Sequence, residues 1–152
     1  MTKQQLQDEL KQSMLARNSE KTSVIRMILS ALNYYEINKG GAGYVATDED
    51  VMTVLQNQAK QRRDSIEQFT AGNRPELAEK EQKELEMISE YLPAQMGEDE
   101  IRSLVKQAIT ATGASTPQEM GKVMGALMPK TKGKADGGLI SKIVREELSS
   151  KA

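Results

Sequence analysis

Apolar side chains recur every three to four residues along most of this chain, and that period is the feature that most restricts its fold. Leu6, Leu10, Met14 and Leu15 set a first amphipathic stripe, which predicts a helix over about 2–17. A second helix is predicted over about 20–38. Ile25, Ile28, Leu29, Leu32 and Tyr35 line one face of it, and Val24, Met27, Ala31 and Tyr34 much of the other, the pattern of a central helix. Val51, Leu55, Ala59, Arg62, Ile66 and Phe69 continue the period, as do Leu77, Leu85, Ile88 and Leu92. No segment shows the strict alternation of a half-buried strand, so the expected fold class is all-α.

Local signals divide the periodic segments. Gly40, Gly41 and Gly43 close the second helix and predict a mobile loop up to Ala46. Thr47 to Asp50 reads as a capping box opening a third helix, which runs to about Thr70. Pro75 suits the first position of a fourth helix, because its missing N–H would have no intrahelical partner there. Pro93 stops that helix. A fifth helix is expected over about 98–112. Thr116-Pro-Gln-Glu119 then combines an N-cap, a first-turn proline and a capping glutamate. The sixth helix is expected to end before Pro129 and the seventh to span about 137–149. Charge shifts as well: residues 1–93 sum to −3 and residues 94–152 to +2. We therefore expect a four-helix bundle over 1–93 and a three-helix domain over 94–152.

Composition removes several chemistries. The chain has no Cys and no His. A disulfide, a thiolate site and a histidine general base are excluded, and no acidic spacing resembles a calcium loop. No catalytic residue, metal site or cofactor is expected. Aromatics are only 3% of the chain, so the core must be aliphatic, with nine methionines as adaptable filler. The amino terminus is polar and no apolar run is long enough to span a bilayer, which suggests a cytoplasmic protein without a membrane partner.

The densest charge lies between Met120 and Arg145. Lys122, Lys130, Lys132, Lys134, Lys142 and Arg145 are opposed there by Asp136 alone, a local +5 on a chain of net −1. Gly133, Gly137 and Gly138 would let the backbone approach a ligand, and the seventh helix would aim its positive end at the same place. The group reads as a phosphate-binding surface between two helices, suited to folded RNA because no aromatic side chain stands nearby to stack on bases. Two further charges fall on apolar stripes, Arg62 of the third helix and Glu81 of the fourth. A half-buried charge needs a partner, so Arg62, or Arg26 in its place, is expected to pair with Glu81. Lys60 with Asp64 and Arg63 with Glu67 are spaced as surface pairs, and Arg63 is the candidate for a secondary RNA contact.

Four ordered motifs carry a family resemblance. They are Lys60-Gln-Arg-Arg-Asp-Ser-Ile-Glu-Gln-Phe69, Ala71-Gly-Asn-Arg-Pro-Glu-Leu-Ala-Glu-Lys-Glu81, Glu90-Tyr-Leu-Pro93, and Met120-Gly-Lys-Val-Met124 through Lys132-Gly-Lys-Ala-Asp136. At this spacing the chain resembles the GatB/YqeY family, in particular its free-standing YqeY-like members. The resemblance implies a four-helix bundle followed by a three-helix domain like the tail of the B subunit of the tRNA-dependent amidotransferase. It also implies tRNA, and amidotransferase or synthetase components, as partners in translation. The catalytic core of that enzyme, a glutamine-using carbon–nitrogen ligase, has no counterpart in 152 residues. Lys134 stands where arginine is common in the family, which keeps the charge but loses the bidentate fork. The competing expectation is an adaptor that binds a protein through Met120, Met124 and Met128.

Overall fold

The computed structural model describes residues 1–151. Its helices are α1 (Lys3–Leu15), α2 (Ser19–Gly40), α3 (Asp48–Ala71), α4 (Pro75–Ser89), α5 (Glu98–Thr112), α6 (Met120–Thr131) and α7 (Gly137–Lys151), with a 3₁₀ turn at Pro117–Glu119. No strand occurs among the described residues, so the chain is all-α. Two compact units separate after Pro93: Met1–Pro93 carries α1 to α4, and the unit beginning at Ala94 carries α5 to α7.

In the first unit α2 packs against α1, α3 and α4. Leu6, Val24, Ile28, Leu32, Val51, Leu55 and Ile88 close the core. The stripe expected on α1 is rotated. Leu6 is buried, but Met14 is 51% and Leu15 85% exposed. Ser13 is buried in their place, donating to the Leu10 carbonyl and sharing a 2.9 Å hydrogen bond with the Thr22 hydroxyl. A hydroxyl with local partners can occupy an inward position that period alone would give to methionine.

The Gly40–Ala46 segment, expected to be mobile, is tied down instead. Asp50 is buried and accepts from the Thr47 N–H (3.0 Å), the Tyr44 hydroxyl (2.6 Å), the Tyr35 hydroxyl (3.3 Å) and the Lys39 ammonium. The Lys39 cation lies 5.7 and 5.5 Å from the Tyr35 and Tyr44 ring centroids. Glu36, also buried, accepts from Lys3 and from the Ala46 N–H, both at 2.7 Å. Two buried carboxylates, one from α2 and one from α3, thus hold the α3 end of the loop, each satisfied by a cation and a backbone donor.

The second unit buries Ile101, Val105, Ile109, Val123, Leu127, Ile143 and Leu148 around one centre. Arg102 ties α5 to α7, 2.7 Å from Glu147 and 2.9 Å from Glu146, with Glu98 of its own helix at 3.1 Å. Glu119 caps the 3₁₀ turn through the Ser115 and Thr116 N–H groups, which hold its carboxyl down at about 2 together with Lys122. The sixth helix does not stop before Pro129; it passes through to Thr131. The lost Pro129 N–H interrupts one ladder bond, while the buried Thr131 hydroxyl donates to the Leu127 carbonyl at 3.0 Å and Lys132 N–H to Met128 at 3.1 Å.

Candidate nucleic-acid interface

The corner between α6 and α7 is built from its backbone outward. Lys130 belongs to the last turn of α6, not to a loop. Gly133 is buried with φ at +78°, a left-handed conformation that a side chain would strain. The Lys134 and Ala135 N–H groups both return to the Thr131 carbonyl, at 2.9 and 3.2 Å. On the other side Met96 N–H donates to the Lys134 carbonyl (2.8 Å) and the Gln95 amide to the Gly133 carbonyl (3.0 Å). Gly133 therefore shapes the turn, and its carbonyl is taken up by Gln95. Asp136 caps α7, accepting from the Leu139 N–H at 3.2 Å, so a carboxylate already stands at the positive end of that helix. Gly137 is exposed as the first residue of α7.

On this frame Lys130, Lys132 and Lys134 are all exposed within five residues. Lys130 and Lys134 make no ion pair among the described residues. The other cations fall elsewhere. Lys122 lies eight residues before Lys130, roughly 12 Å along α6, and is 3.4 Å from Glu119. Lys142 is on the α7 face that carries Glu146, whose carboxyl is lowered first by Arg102 and further by Lys142. Arg145 is exposed about two turns into α7 and unpaired among the described residues. The run of six cations is thus a cluster of three at the corner, with Lys142 and Arg145 apart on α7 and Lys122 beside an acid.

The charges of the first unit are also placed. Arg62 Nε stands 3.4 Å from Glu81 and 2.9 Å from Glu84, with the Arg62 side chain only 11% exposed. Neither Arg62 Nε nor Glu81 Oε2 makes an aligned hydrogen bond. Arg26 is exposed and lies instead against the Met14 sulfur. Lys60 and Asp64 are 3.5 Å apart, whereas half-buried Arg63 has no ion pair with Glu67 or with any other described residue. Glu84 was legible only as the residue one helical turn after Glu81. Its presence makes a clear forecast: Glu81→Gln alone should cost about 1 kcal/mol, and Glu81→Gln with Glu84→Gln about 3 kcal/mol, because only the double change leaves a mostly buried guanidinium without a counter-charge. Chemical denaturation reads the difference, and equal losses for the single and double variants would contradict it.

Among the described residues no three metal-ligating side chains converge, and no helix is long and apolar enough to cross a membrane. Fold and corner together define a small all-α protein whose densest cationic feature is a braced turn between two helices. The chain belongs to the YqeY family: the model described as Yqey-like protein matches residues 3–148. It is 34% identical over 151 residues to the "Altered inheritance of mitochondria protein 41, mitochondrial" of Pyrenophora tritici-repentis, covering 96% of this chain and 80% of that protein. An uncharacterised protein of Schizosaccharomyces pombe is 35% identical over 88 residues, 58% of this chain and 69% of its own length. The protein of Clavispora lusitaniae with the same mitochondrial name is 40% identical over 87 residues, 57% of this chain and 49% of its own. These names overturn the expectation of a cytoplasmic protein. A polar amino terminus argues against a secretory signal peptide but does not choose between the cytosol and an organelle.

Proposed function

We propose that this chain is a non-catalytic binding module for tRNA or another structured RNA, and that Lys130, Lys132 and Lys134 form its contact. In this reading Met1–Pro93 is a four-helix bundle and the unit from Ala94 is a three-helix domain like the amidotransferase tail. The role is accessory, beside amidotransferase or synthetase components in translation. One observation carries it: three exposed lysines share a turn whose backbone is held on both sides by hydrogen bonds. Pre-positioned cations lose little freedom on meeting phosphate, and each phosphate neutralised releases a counterion. Arg145 extends the contact along α7 and Arg63 is a secondary one. Gly133 and Gly137 act through the path of the chain, while Lys122 and Lys142 contribute only to the general field. The methionines favour RNA over the adaptor. Met120 and Met124 pack against the core and Met128 alone is largely exposed, so they form no continuous apolar patch.

Binding of total tRNA measured by fluorescence anisotropy, across a salt series, tests this. Changing Lys130, Lys132 and Lys134 together to alanine should weaken binding at least tenfold at low salt. It should also reduce the slope of log affinity against log salt by about two to three. An unchanged slope in the triple variant would remove the proposal.

A further inference from the structure

We propose that the cavity between α2 and α4 binds a small zwitterion, an α-amino acid with an aliphatic side chain. This goes beyond the RNA reading and does not depend on it.

The cavity holds about 310 Å³, the small end of ligand sites and a fit for one amino acid. Val24, Met27 and Met87 line it with apolar surface. Two thioethers make that surface adaptable, able to follow aliphatic chains of different branching. Both signs of charge stand around the apolar part: Lys80 and Lys83 on one side of the balance, Glu20 and Glu84 on the other. A pocket for a simple anion or a simple amine would carry one sign.

The charge count behind the wall sharpens the assignment. Arg62 faces two carboxylates, Glu81 and Glu84, so this three-residue cluster by itself sums to −1. Arg62 Nε and Glu81 Oε2 are buried without a hydrogen bond, the mark of an incompletely satisfied cluster. Arg62 also reaches the Met27 sulfur, at 3.8 Å, which joins the cluster to the lining of the cavity. Glu84 belongs to both the cluster and the lining, and is the acceptor for a ligand ammonium. Lys80 is exposed and has no ion pair among the described residues, leaving it to meet the ligand carboxylate. The Ser23 hydroxyl, likewise without a hydrogen-bond partner among the described residues, adds a neutral donor.

The test follows the Met27 and Met87 methyl resonances of the full chain, with ¹³C-labelled methionine, during titration with L-leucine, L-isoleucine, L-valine and L-methionine. Two truncated probes accompany them: 3-methylbutylamine, without the carboxylate, and 4-methylpentanoate, without the ammonium. At least one amino acid should shift both methyls saturably with Kd of about 1 mM or tighter, and each truncated probe should bind at least about tenfold more weakly. Lys80→Ala should cost the amino acid about tenfold and leave the amine unchanged. Glu84→Gln, in which Arg62 keeps Glu81, should cost the amino acid and the amine alike. No saturable shift with any of the four amino acids by roughly 20 mM overturns the proposal. So does a truncated probe that binds as well as the amino acid, or a Lys80→Ala protein that binds as before.

Discussion

Replacing Asp50 with alanine is expected to lower the melting temperature of the first unit by roughly 10–20 °C, a larger effect than removal of any other single charge in the molecule. The change removes the acceptor for the Thr47 N–H and with it half of the capping box of α3. It also releases the Tyr44 and Tyr35 hydroxyls and the Lys39 ammonium at once. The loop between α2 and α3 would lose one of the two anchors at its α3 end, because Glu36 would keep the Ala46 N–H. Asp50→Asn keeps the shape and one acceptor and should fall between the two. Thermal unfolding followed by circular dichroism measures this, and an alanine variant that melts with the wild type would refute the anchoring role.

The same carboxylates give the stability a direction in pH. Lys39 first, then Tyr44 and the Thr47 N–H, hold the Asp50 carboxyl well below the usual carboxylate range. Lys3 and the Ala46 N–H lower Glu36 in the same sense. A depressed folded pKa means that the unfolded chain takes up protons first. The contribution is therefore complete above the ordinary carboxylate pKa and is lost as pH falls toward the folded value. Stability should decline below about pH 4, and Asp50→Asn should flatten that decline. Parallel acid-unfolding curves for variant and wild type would count against it.

The second large effect is expected at Ile143, which is 1% exposed at the centre of the α5–α7 core. Ile143→Ala should cost about 3–4 kcal/mol, from lost transfer energy and the cavity left behind. A unit of about 59 residues has little more than that to lose. The carboxy-terminal helices should then melt near room temperature while the first unit keeps its own transition, giving two steps in place of one. One cooperative transition, merely shifted, would show that the units do not fold separately.

Some of this architecture was legible because its cause is local. Thr47 and Asp50 form a capping box from three residues of sequence, and Pro75 begins α4 because nothing there needs its N–H. The charge of the basic corner depends on where its window is drawn. Residues 120–145 contain one acid, but Glu119 and Glu146 stand just outside it, the first 3.4 Å from Lys122 and the second one turn beyond Lys142. Pro129 reads as a stop in the sequence, yet α6 continues through it to Thr131, which is buried and donates its hydroxyl to the Leu127 carbonyl. Arg102 could not be foreseen as a clamp. Its partner Glu98 is four residues away, but Glu146 and Glu147 are more than forty.

The sequence by itself determined that the chain is helical, where most helices begin, and that neither thiol nor imidazole chemistry is open to it. These follow from side-chain period, from capping residues and from composition, which act within a few neighbours. Only the tertiary structure decided which cations keep their charge exposed, that Arg62 faces Glu84 as well as Glu81, and that Asp50 anchors a loop. Those outcomes depend on which residues the folded backbone brings within about 4 Å, and electrostatic partnership at that range is set by position in space, whatever the distance along the chain.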